Sequence, residues 1–376
     1  MKLAKQRPFL FGLLISVVVA VPLLGGMLFI HWWNTPLGIP LGSSHTQTLA
    51  PGEEIPASLT PRPSAAEGQA EATAAPTATP EPTLTPLPTS TPAPQAMCGG
   101  PDTQTILVTG VDSGNYIYGL SDAVRVVRVD FVHGKVTVLP LPRDLWVDIP
   151  VTIPGVTEGI TEGKLNQAYF YGSPGMGYYP DEDQSPGLLA KTLELNFNLP
   201  VDNYFSVNTR IFRRMVSQIG GITVTLPGNV YGHYYDEPVL YLKAGTHHLT
   251  GKQAEMVARH RTLIGDFGRV KNQTILLKAF VRKLLTPQGI KEVPALIDIY
   301  REDVLMDFTP NQISKLLCLA GKIDLGEDIT FLNFPQEILT EGRVYAEANQ
   351  AEVYALTYDQ EQVRQLLADF QAGDWP

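Results

Sequence analysis

Cysteine and histidine are scarce in this chain, with two and seven residues respectively among 376. His247, His248 and His260 have no companion ligands at a spacing that suits zinc. The chain also has no glycine-rich P-loop and no Gly-x-Ser-x-Gly nucleophile elbow. These absences leave zinc, P-loop nucleotide and serine-nucleophile chemistry without support.

Positive charge is also in short supply, because 28 Lys and Arg stand against 38 Asp and Glu, for a formal net charge of −10. Lys2, Lys5 and Arg7 lie at the extreme N-terminus, so the rest of the chain is more acidic still. An acidic surface repels nucleic-acid phosphates and anionic lipid headgroups. We therefore expect no nucleic-acid partner, and any bound phosphate must be met by a local group of arginines.

One long apolar run extends from Phe9 to Ile30 without a charged residue and is followed by Trp32 and Trp33. At about 1.5 Å per residue it is long enough to cross a bilayer, and the tryptophans suit the membrane interface. The positive flank places the N-terminus in the cytoplasm. We predict a cytoplasmic tip over residues 1–8 and a single-pass transmembrane signal anchor over 9–33, with the remainder extracytoplasmic at the cell membrane. A cleaved signal peptide is the alternative.

Residues 34–97 are predicted to form a disordered tether. The stretch 51–95 is dominated by Pro, Thr, Ala and Ser, and such a composition buries too little apolar surface to offset its chain entropy. Its prolines favour extended, polyproline-like conformations. The tether would hold a globular domain, residues 98–376, well away from the membrane surface.

The two cysteines, Cys98 at the end of the tether and Cys318 in an apolar helical stretch, both lie on the predicted outer side. Disulfides form and persist in oxidising compartments. We expect one disulfide that joins the start of the domain to a late helix. The alternative is a buried free thiol at position 318 and an exposed one at position 98.

Residues 257–273 contain an unusual group of arginines in this acidic chain. Arg259 and Arg261 share a face if the chain is extended there, and Arg269 and Gln273 share a face if the following run is helical. Asp266 lies between the two pairs. Forked donors that converge in this way suit a phosphate or diphosphate, which they can bind bidentately. Solvated salt bridges are the alternative.

From about residue 102 onward, β-branched runs alternate with segments of helical periodicity. His133–Gly134 reads as a two-residue hairpin turn. The mixture predicts an α/β fold with a mixed central sheet flanked by helices. The predicted strands cover 104–112, 122–132, 135–141, 203–208, 221–227 and 328–334, and the predicted helices cover 185–197, 209–220, 269–285, 309–321 and 359–371.

Four short motifs place further polar side chains near the ends of these elements. Each is weak alone, because Asp at a strand end is more often a turn former. The motifs are GVDSG (110–114) with Asp112, LSDA (120–123) with Asp122, LPLPRD (139–144) with Arg143 and Asp144, and KLNQAYFYG (164–172) with Lys164 and Asn166.

Taken in order with Gly-Gly-Ile-x-Val, Arg-x-Arg and Asp-Phe-Gly-Arg-x-x-x-Gln, these motifs closely resemble the LytR-CpsA-Psr family over residues 104–285. The resemblance implies a membrane-anchored phosphotransferase that moves a glycopolymer from an undecaprenyl-diphosphate carrier onto peptidoglycan. It also implies a hydrophobic pocket for the lipid tail of the carrier.

The resemblance assigns roles to the quoted residues. The arginines that clamp the diphosphate would be Arg143, Arg259, Arg261 and Arg269, and the ligands of Mg²⁺ or Mn²⁺ would be Asp112 and Asp122. Asp144 or Asp266 would orient an arginine or assist proton removal, and the sequence does not choose between these roles. The substrate-binding residues would be Lys164, Asn166, Gln273, Leu276 and Phe280, of which the last two border the lipid pocket unless they serve ordinary core packing.

The chain departs from the family pattern at Leu120, where an arginine usually stands; Asn272 and Gly114 replace arginines as well. Arg125 is not expected to substitute, because its odd offset from Asp122 points it to the other face of a regular strand. Arg128 shares the face but lies about 20 Å along the strand. Two alternatives to an active transferase therefore stay open: a catalytically silent relative that binds polyprenyl-phosphate carriers or wall polymer, and a structural ectodomain.

Overall fold

A computed structural model describes residues 29–42, 95–234, 237–300, 304–324 and 326–375. The predicted cytoplasmic tip, the anchor up to residue 28 and the tether from 43 to 94 lie outside the described residues. Within the described ranges, no helix combines the length and hydropathy needed to cross a membrane.

The central feature is a mixed six-stranded sheet. Its strands are β1 (Thr103–Val111), β2 (Ser121–Asp130), β3 (Lys135–Leu141), β6 (Asn203–Asn208), β11 (Leu305–Met306) and β12 (Ile329–Phe331), numbered in chain order. They are arranged as β11-β6-β1-β2-β3-β12. β1, β2 and β3 form an antiparallel meander, whereas β6 joins β1 and β12 joins β3 in parallel. The predicted α/β class with a mixed central sheet is confirmed.

The described residues also form four two-stranded sheets. They pair β4 (Trp146–Ile149) with β5 (Thr161–Lys164), β7 (Ile222–Leu226) with β10 (Gly245–Leu249), β8 (Val230–Tyr234) with β9 (Glu237–Leu242), and β13 (Leu339–Ala346) with β14 (Ala351–Tyr358). The helices are α1 (Leu165–Tyr171), α2 (Gln184–Phe197), α3 (Thr209–Gln218), α4 (Gly251–Arg259), α5 (Gly265–Leu284), α6 (Pro287–Tyr300), α7 (Pro310–Ala320) and α8 (Gln360–Ala372), with 3₁₀ turns at Met97–Gly99, Gln336–Ile338 and Glu347–Asn349.

Helices cover both faces of the central sheet because its strands alternate apolar residues on the two sides. Leu107 and Leu139 are fully buried in a cluster with residues of α1, α2 and α8. Ile106 and Val129 belong to a second cluster, which includes Leu319 of α7. The period-2 alternation of a strand accounts for this division of neighbouring residues between two apolar layers.

Several predicted boundaries differ from the observed ones by two or more residues, among them the end of β2 and the start of α5. β2 ends at Asp130 instead of residue 132, and the turn after it covers residues 131–134 instead of two residues. The Asp130 carboxylate ends the strand early, since it accepts the backbone N–H groups of Val132 (3.0 Å) and His133 (2.8 Å). The helix predicted to begin at Arg269 begins at Gly265, so it also carries Asp266.

Residues 34–42, which belong to the predicted tether, contact the domain in the structure, and we call them the docked segment. Its Leu37 N–H donates to the Phe308 carbonyl at 2.9 Å, and its Gly42 N–H donates to the Asp183 carboxylate at 2.8 Å. Gly38 permits the close approach, because a Cβ there would lie 2.1 Å from the Met306 carbonyl oxygen. Backbone hydrogen bonds to the domain, which hydropathy does not reveal, order this stretch.

A disulfide joins Cys98 to Cys318, with their Cα atoms 5.9 Å apart. It links the 3₁₀ turn at the start of the domain to α7 across a sequence separation of 220 residues. The start of the globular part and α7 are thereby held together beside the apolar layer that contains Ile106 and Val129.

Candidate functional site

The candidate site lies at one end of the central sheet. Because β1 and β3 run antiparallel to β2, the ends of β1 and β3 meet the start of β2 at this edge. Asp112 follows β1, Asp122 is the second residue of β2, and Arg143 follows β3. Motifs from three consecutive strands therefore converge, as the strand assignments predict.

A β-bulge changes the direction of Asp122. Gly110 pairs with Ala123 but Val111 pairs with Ser121, so Asp122 is an extra residue in β2. A bulge offsets the alternation of a strand by one residue. Asp122 and Arg125 consequently line the same cavity, although a regular strand would point them to opposite faces. The prediction that Arg125 faces away from the site is wrong for this reason.

Three arginines contact the Asp122 carboxylate. Its Oδ1 accepts from Arg143, while Oδ2 lies 3.0 Å from Arg261 Nη2 and 2.7 Å from Arg269 Nη1. Burial acts to raise the pKa of Asp122, but Arg269, Arg143 and Arg261 outweigh it and hold this pKa below its ordinary value. Asp122 is therefore the internal anion around which the arginines are assembled.

Two further carboxylates complete the ion-pair network. Asp266 lies 2.7 Å from Arg269 Nη2 and 3.2 Å from Arg143 Nε. Asp144 is buried, 2.9 Å from Lys164 Nζ and 3.3 Å from Arg143 Nε. Burial acts to lower the pKa of Arg143, but the three carboxylates raise it overall. Both Asp144 and Asp266 thus orient arginines, and the guanidinium of Arg143 is fixed between them.

Arg259 stands apart from this network. The assumption of an extended chain between Arg259 and Arg261 is wrong, because α4 continues to Arg259 and only the following residues leave the helix. Arg259 forms an ion pair with Glu255 at 3.5 Å, its side chain is 63% exposed, and it lines the cavity. It is placed at the rim, where it can move without disturbing the buried ion pairs.

A cavity of about 200 Å³ opens between the sheet, α3, α4 and α5. The polar end is formed by Asp112, Asp122, Arg259, Arg269 and Gln273, and the apolar wall includes Val108, Phe205, Val207, Phe212, Met215, Leu276, Leu277 and Phe280. Leu276 and Phe280 therefore border the cavity, on the helix face that also carries Gln273. An apolar chamber with a charged mouth suits an amphiphile that carries an anionic headgroup.

The other residues proposed to bind substrate are placed differently. Gln273 donates from Nε2 to the Ala258 carbonyl at 3.2 Å. Lys164 contacts Asp144 and does not line the cavity, while Asn166 is buried and its backbone N–H donates to the Arg143 carbonyl at 3.1 Å. Asn166 is therefore placed to hold the backbone that carries Arg143.

Asp112 and Asp122, the residues predicted to bind a metal ion, already have hydrogen-bond partners. Asp112 Oδ1 accepts the Leu120 N–H at 2.9 Å, and both oxygens of Asp122 contact arginines. No cluster of three or more His, Cys, Asp or Glu suited to a metal occurs in the described part of the chain. Two carboxylates suit Mg²⁺ when substrate phosphates and water complete its shell, so the pair fits a cation that arrives with a phosphate.

The description "LytR_cpsA_psr family" belongs to a family model that matches residues 76–367. The chain belongs to the LytR-CpsA-Psr family. Two curated relatives are each 28% identical: the regulatory protein MsrR of Staphylococcus aureus strain COL over 52% of this chain and 54% of its own length, and the polyisoprenyl-teichoic acid–peptidoglycan teichoic acid transferase TagU of Oceanobacillus iheyensis over 57% and 62%. The matched region thus spans little more than half the length of these relatives.

Solved structures share the LytR-CpsA-Psr fold with this chain. The crystal structure of Bacillus subtilis TagV aligns over 73% of this chain and 98% of its own, with a TM-score of 0.54 and 24% identity. A structure described as TagT bound to LIIa-WTA aligns over 74% and 95%, with a TM-score of 0.51 and 21% identity. At these identities the structures establish the fold.

Sequence reasoning missed Arg125 and the part of the cavity wall formed by β6 and α3. Phe212 and Met215 are three residues apart in α3, so they share the face that lines the cavity. That spacing is visible in the sequence, but it does not tell a cavity wall from a core face. Asn208 also lines the cavity, and its side chain caps α3 through the Ile211 N–H at 2.9 Å.

Proposed function

We propose that this LytR-CpsA-Psr protein is a membrane-anchored phosphotransferase that moves a glycopolymer from an undecaprenyl-diphosphate carrier onto peptidoglycan. The observation that carries the proposal is the contact of Asp122 with Arg143, Arg261 and Arg269 at the charged mouth of an apolar cavity. The name of the TagU relative describes a transfer from a polyisoprenyl-linked polymer to peptidoglycan. The predicted anchor and extracytoplasmic location belong to the same proposal.

The reaction forms one bond and breaks one. The oxygen of a peptidoglycan hydroxyl attacks the phosphorus that carries the glycopolymer, and the diphosphate P–O–P bond breaks. Undecaprenyl monophosphate leaves with the bridging oxygen and electron pair, and the hydroxyl proton passes to the phosphate product or solvent. Such transfers depend on positioning and on neutralising the phosphate charge.

The arginine network supplies that neutralisation by exchanging one anion for another. Asp122 holds the three guanidinium groups together before substrate binds, which avoids leaving buried like charges unpaired. A diphosphate oxygen can take the place of the carboxylate, with Arg269 fixed by burial and by Asp266. Arg261, with its side chain 46% exposed, is free to follow the headgroup.

Mg²⁺ or Mn²⁺ is part of the proposal, with Asp112 and Asp122 as its carboxylate ligands. The backbone of Leu120 keeps these two residues together, because its N–H donates to Asp112 and its carbonyl accepts from the N–H groups of Asp112 and Asp122 at 3.0 Å each. When bound, the cation would neutralise further charge on the diphosphate. Asp122 would be able to hold the cation when the arginines contact the phosphate instead of its carboxylate.

The test uses the full chain in detergent micelles with an undecaprenyl-diphosphate oligosaccharide, peptidoglycan fragments and Mg²⁺. Release of undecaprenyl monophosphate and appearance of phosphate-linked glycan on peptidoglycan are followed together. Arg261→Ala should lower kcat/KM by about tenfold or more, since a hydrogen bond to a charged group contributes about 1.5–3 kcal/mol. Arg343→Ala removes an exposed arginine paired with Glu352 on β13 and is the matched control. Lipid release without glycan on peptidoglycan would refute the proposed acceptor.

A catalytically silent carrier-binding protein is the second candidate, favoured by Leu120 in place of the family arginine. It predicts binding of undecaprenyl diphosphate that requires Arg261 and no release of the monophosphate. Turnover by Leu120→Arg but not by the natural chain would assign the silence to that position. A structural ectodomain predicts neither binding nor release.

A further inference from the structure

Arg125 is a buried cation that the proposed reaction does not use. It is 4% exposed and lines the cavity beside Asp122. No carboxylate within the described residues lies within ion-pair distance of it. Its Nη2 donates to the Val270 carbonyl at 3.5 Å and to the Thr274 hydroxyl at 3.3 Å.

These contacts satisfy only a small part of the guanidinium. An arginine has five N–H donors, and charge-assisted hydrogen bonds are normally about 2.7–2.9 Å long. Burial lowers the pKa of Arg125 to about 10, so the group still carries its charge at neutral pH. By contrast, Arg128 lies on the same strand and has a carboxylate partner, Asp130, at 3.2 Å. Arg125 therefore has N–H donors at the cavity wall that these two contacts do not use.

Arg125 contacts residues that are adjacent in sequence to two members of the candidate site. Val270 and Thr274, which it contacts, directly follow Arg269 and Gln273 in α5. On the sheet it pairs with Val108, whereas Ala123, next to Asp122, pairs with Gly110 at the strand end. Arg125 thus lies one strand repeat, about 7 Å, deeper than Ala123 towards the apolar wall.

Position 120, where the family arginine is absent, has a different environment. Leu120 is not among the residues that line the cavity, and its backbone supports Asp112 and Asp122 whatever its side chain is. The chain therefore lacks a cation at position 120 but has one, Arg125, on the cavity wall.

We infer that Arg125 binds the lipid-side phosphate of a polyprenyl phosphate or diphosphate from within the cavity, and that it supplies the charge missing at position 120. The inference rests on the proposed function and names a headgroup ligand for it. It also predicts that the phosphate sits deeper than a clamp built only from Arg143, Arg261 and Arg269 would place it.

The test measures the affinity of the full chain in detergent for undecaprenyl monophosphate, uncharged undecaprenol and inorganic diphosphate. Arg125→Met keeps the length and apolar stem of the side chain, and Arg125→Gln is a second variant that keeps donors towards Val270 and Thr274. Arg128→Met is the matched control, since it removes a buried arginine of the same strand that does not line the cavity. Each affinity is calculated from the concentration of folded protein, which circular dichroism measures.

The expected result is a 10- to 100-fold loss of affinity for the monophosphate lipid in both Arg125 variants, the size of one hydrogen bond to a charged group. The affinity of these variants for undecaprenol should stay within about threefold of wild type. The affinities of Arg128→Met for undecaprenol and for undecaprenyl monophosphate should also stay within about threefold. Adding Leu120→Arg to Arg125→Met should raise the affinity at least tenfold more than the same change raises it in the natural chain, whereas a purely structural role of Arg125 predicts equal gains. Inorganic diphosphate separates binding of free phosphate from binding of the lipid headgroup.

Equal losses for undecaprenol and its phosphate would overturn the inference, because Arg125 would then only shape the wall; unchanged affinities would overturn it too. Phosphate-lipid binding that needs Arg125 without any glycan transfer would refute the proposed reaction and leave the inference standing. Glycan transfer by the natural chain, together with an unchanged affinity of Arg125→Met for the phosphate lipid, would support the proposed reaction and refute the inference. A wild-type chain that binds none of the probes would refute both.

Discussion

Asp122→Asn is the most informative single change at the site, because Asp122 is the shared anion of three arginines. The substitution keeps the size of the side chain and removes its charge. Arg269 is 1% exposed and loses one of its two carboxylates, while Arg143 and Arg261 lose one each. We expect both a loss of stability and a gain in affinity for free anions.

The size of the stability loss follows from the burial of each arginine. Removing one partner from a buried ion pair costs about 3–5 kcal/mol. Asp266 stays 2.7 Å from Arg269, and Arg143 keeps Asp144, so the cost falls at the lower end. The half-exposed Arg261 adds at most about 1 kcal/mol. We therefore expect the free energy of unfolding to fall by about 3 kcal/mol at pH 7.

The pH dependence of stability tests the contribution of the Asp122 carboxylate independently. The folded-state pKa of Asp122 is held below its ordinary value, so its contribution is present above the unfolded-state pKa and is lost as the pH falls through the folded-state value. Urea unfolding of wild type and Asp122→Asn should therefore differ most at neutral pH and converge in acid. Glu352→Gln, which removes an exposed partner of Arg343, is the control and should show no measurable difference.

The anion experiment separates assembly of the clamp from ordinary packing. Without its internal carboxylate, the arginine group should bind inorganic diphosphate at least tenfold more tightly than wild type in the absence of metal, by removal of a competing charge. Diphosphate should also restore much of the lost stability. A stability loss below about 1 kcal/mol, or no gain in diphosphate affinity, would refute the view that Asp122 holds the place of a phosphate.

Three further predictions concern the frame around the site. Replacing both Cys98 and Cys318 by serine should lower the free energy of unfolding by about 3–5 kcal/mol, since the bridge closes a long loop; the chemical denaturation midpoint of the variant should equal that of reduced wild type. Gly38→Val should release the docked segment by collision with the Met306 carbonyl, which faster hydrogen exchange of the Leu37 and Gly42 amides would report, whereas Gly114→Ala, with open space around it, should not. Burial raises the pKa of Asp307, so stability should fall as the pH rises from the ordinary carboxyl value to the higher folded one, and Asp307→Asn should flatten that slope in a Tm series between pH 4 and 7.

Much of the central sheet and of the site could be predicted from local sequence. β3 and β6 have the predicted bounds, because their alternating apolar residues are flanked by turn residues or by a helix cap. The polar motifs at the strand ends converge because neighbouring strands of a sheet bring their ends together. Asp122, Arg143, Arg261 and Arg269 therefore meet, as expected for residues drawn from one family pattern.

The parts that could not be predicted depend on contacts between distant segments. β13 and β14 pair with each other, and β14 contacts the rest of the domain through Leu356. The backbone of Leu356 forms a β-bridge with Leu145, and its N–H donates to the Asp144 carbonyl at 2.8 Å. The docked segment has no regular periodicity, and its order comes from hydrogen bonds to Asp183 and Phe308. The contacts that place these two segments on the domain leave no local signal, because the partners lie far away in sequence.

The direction of the Arg125 side chain is predicted wrongly for a different reason, and this error bears on function. Alternation along a strand is reliable only while the pairing register is regular, and one inserted residue reverses every side chain beyond it. The insertion occurs at Asp122 itself, so the residue taken as the reference for counting is the one that breaks the count. A motif comparison then records a lost arginine at Leu120 and overlooks the buried arginine that the bulge brings to the same cavity. The number of cations facing a phosphate is therefore a property of the register as well as of the motif, and the absence of an arginine at position 120 does not by itself argue for a silent site.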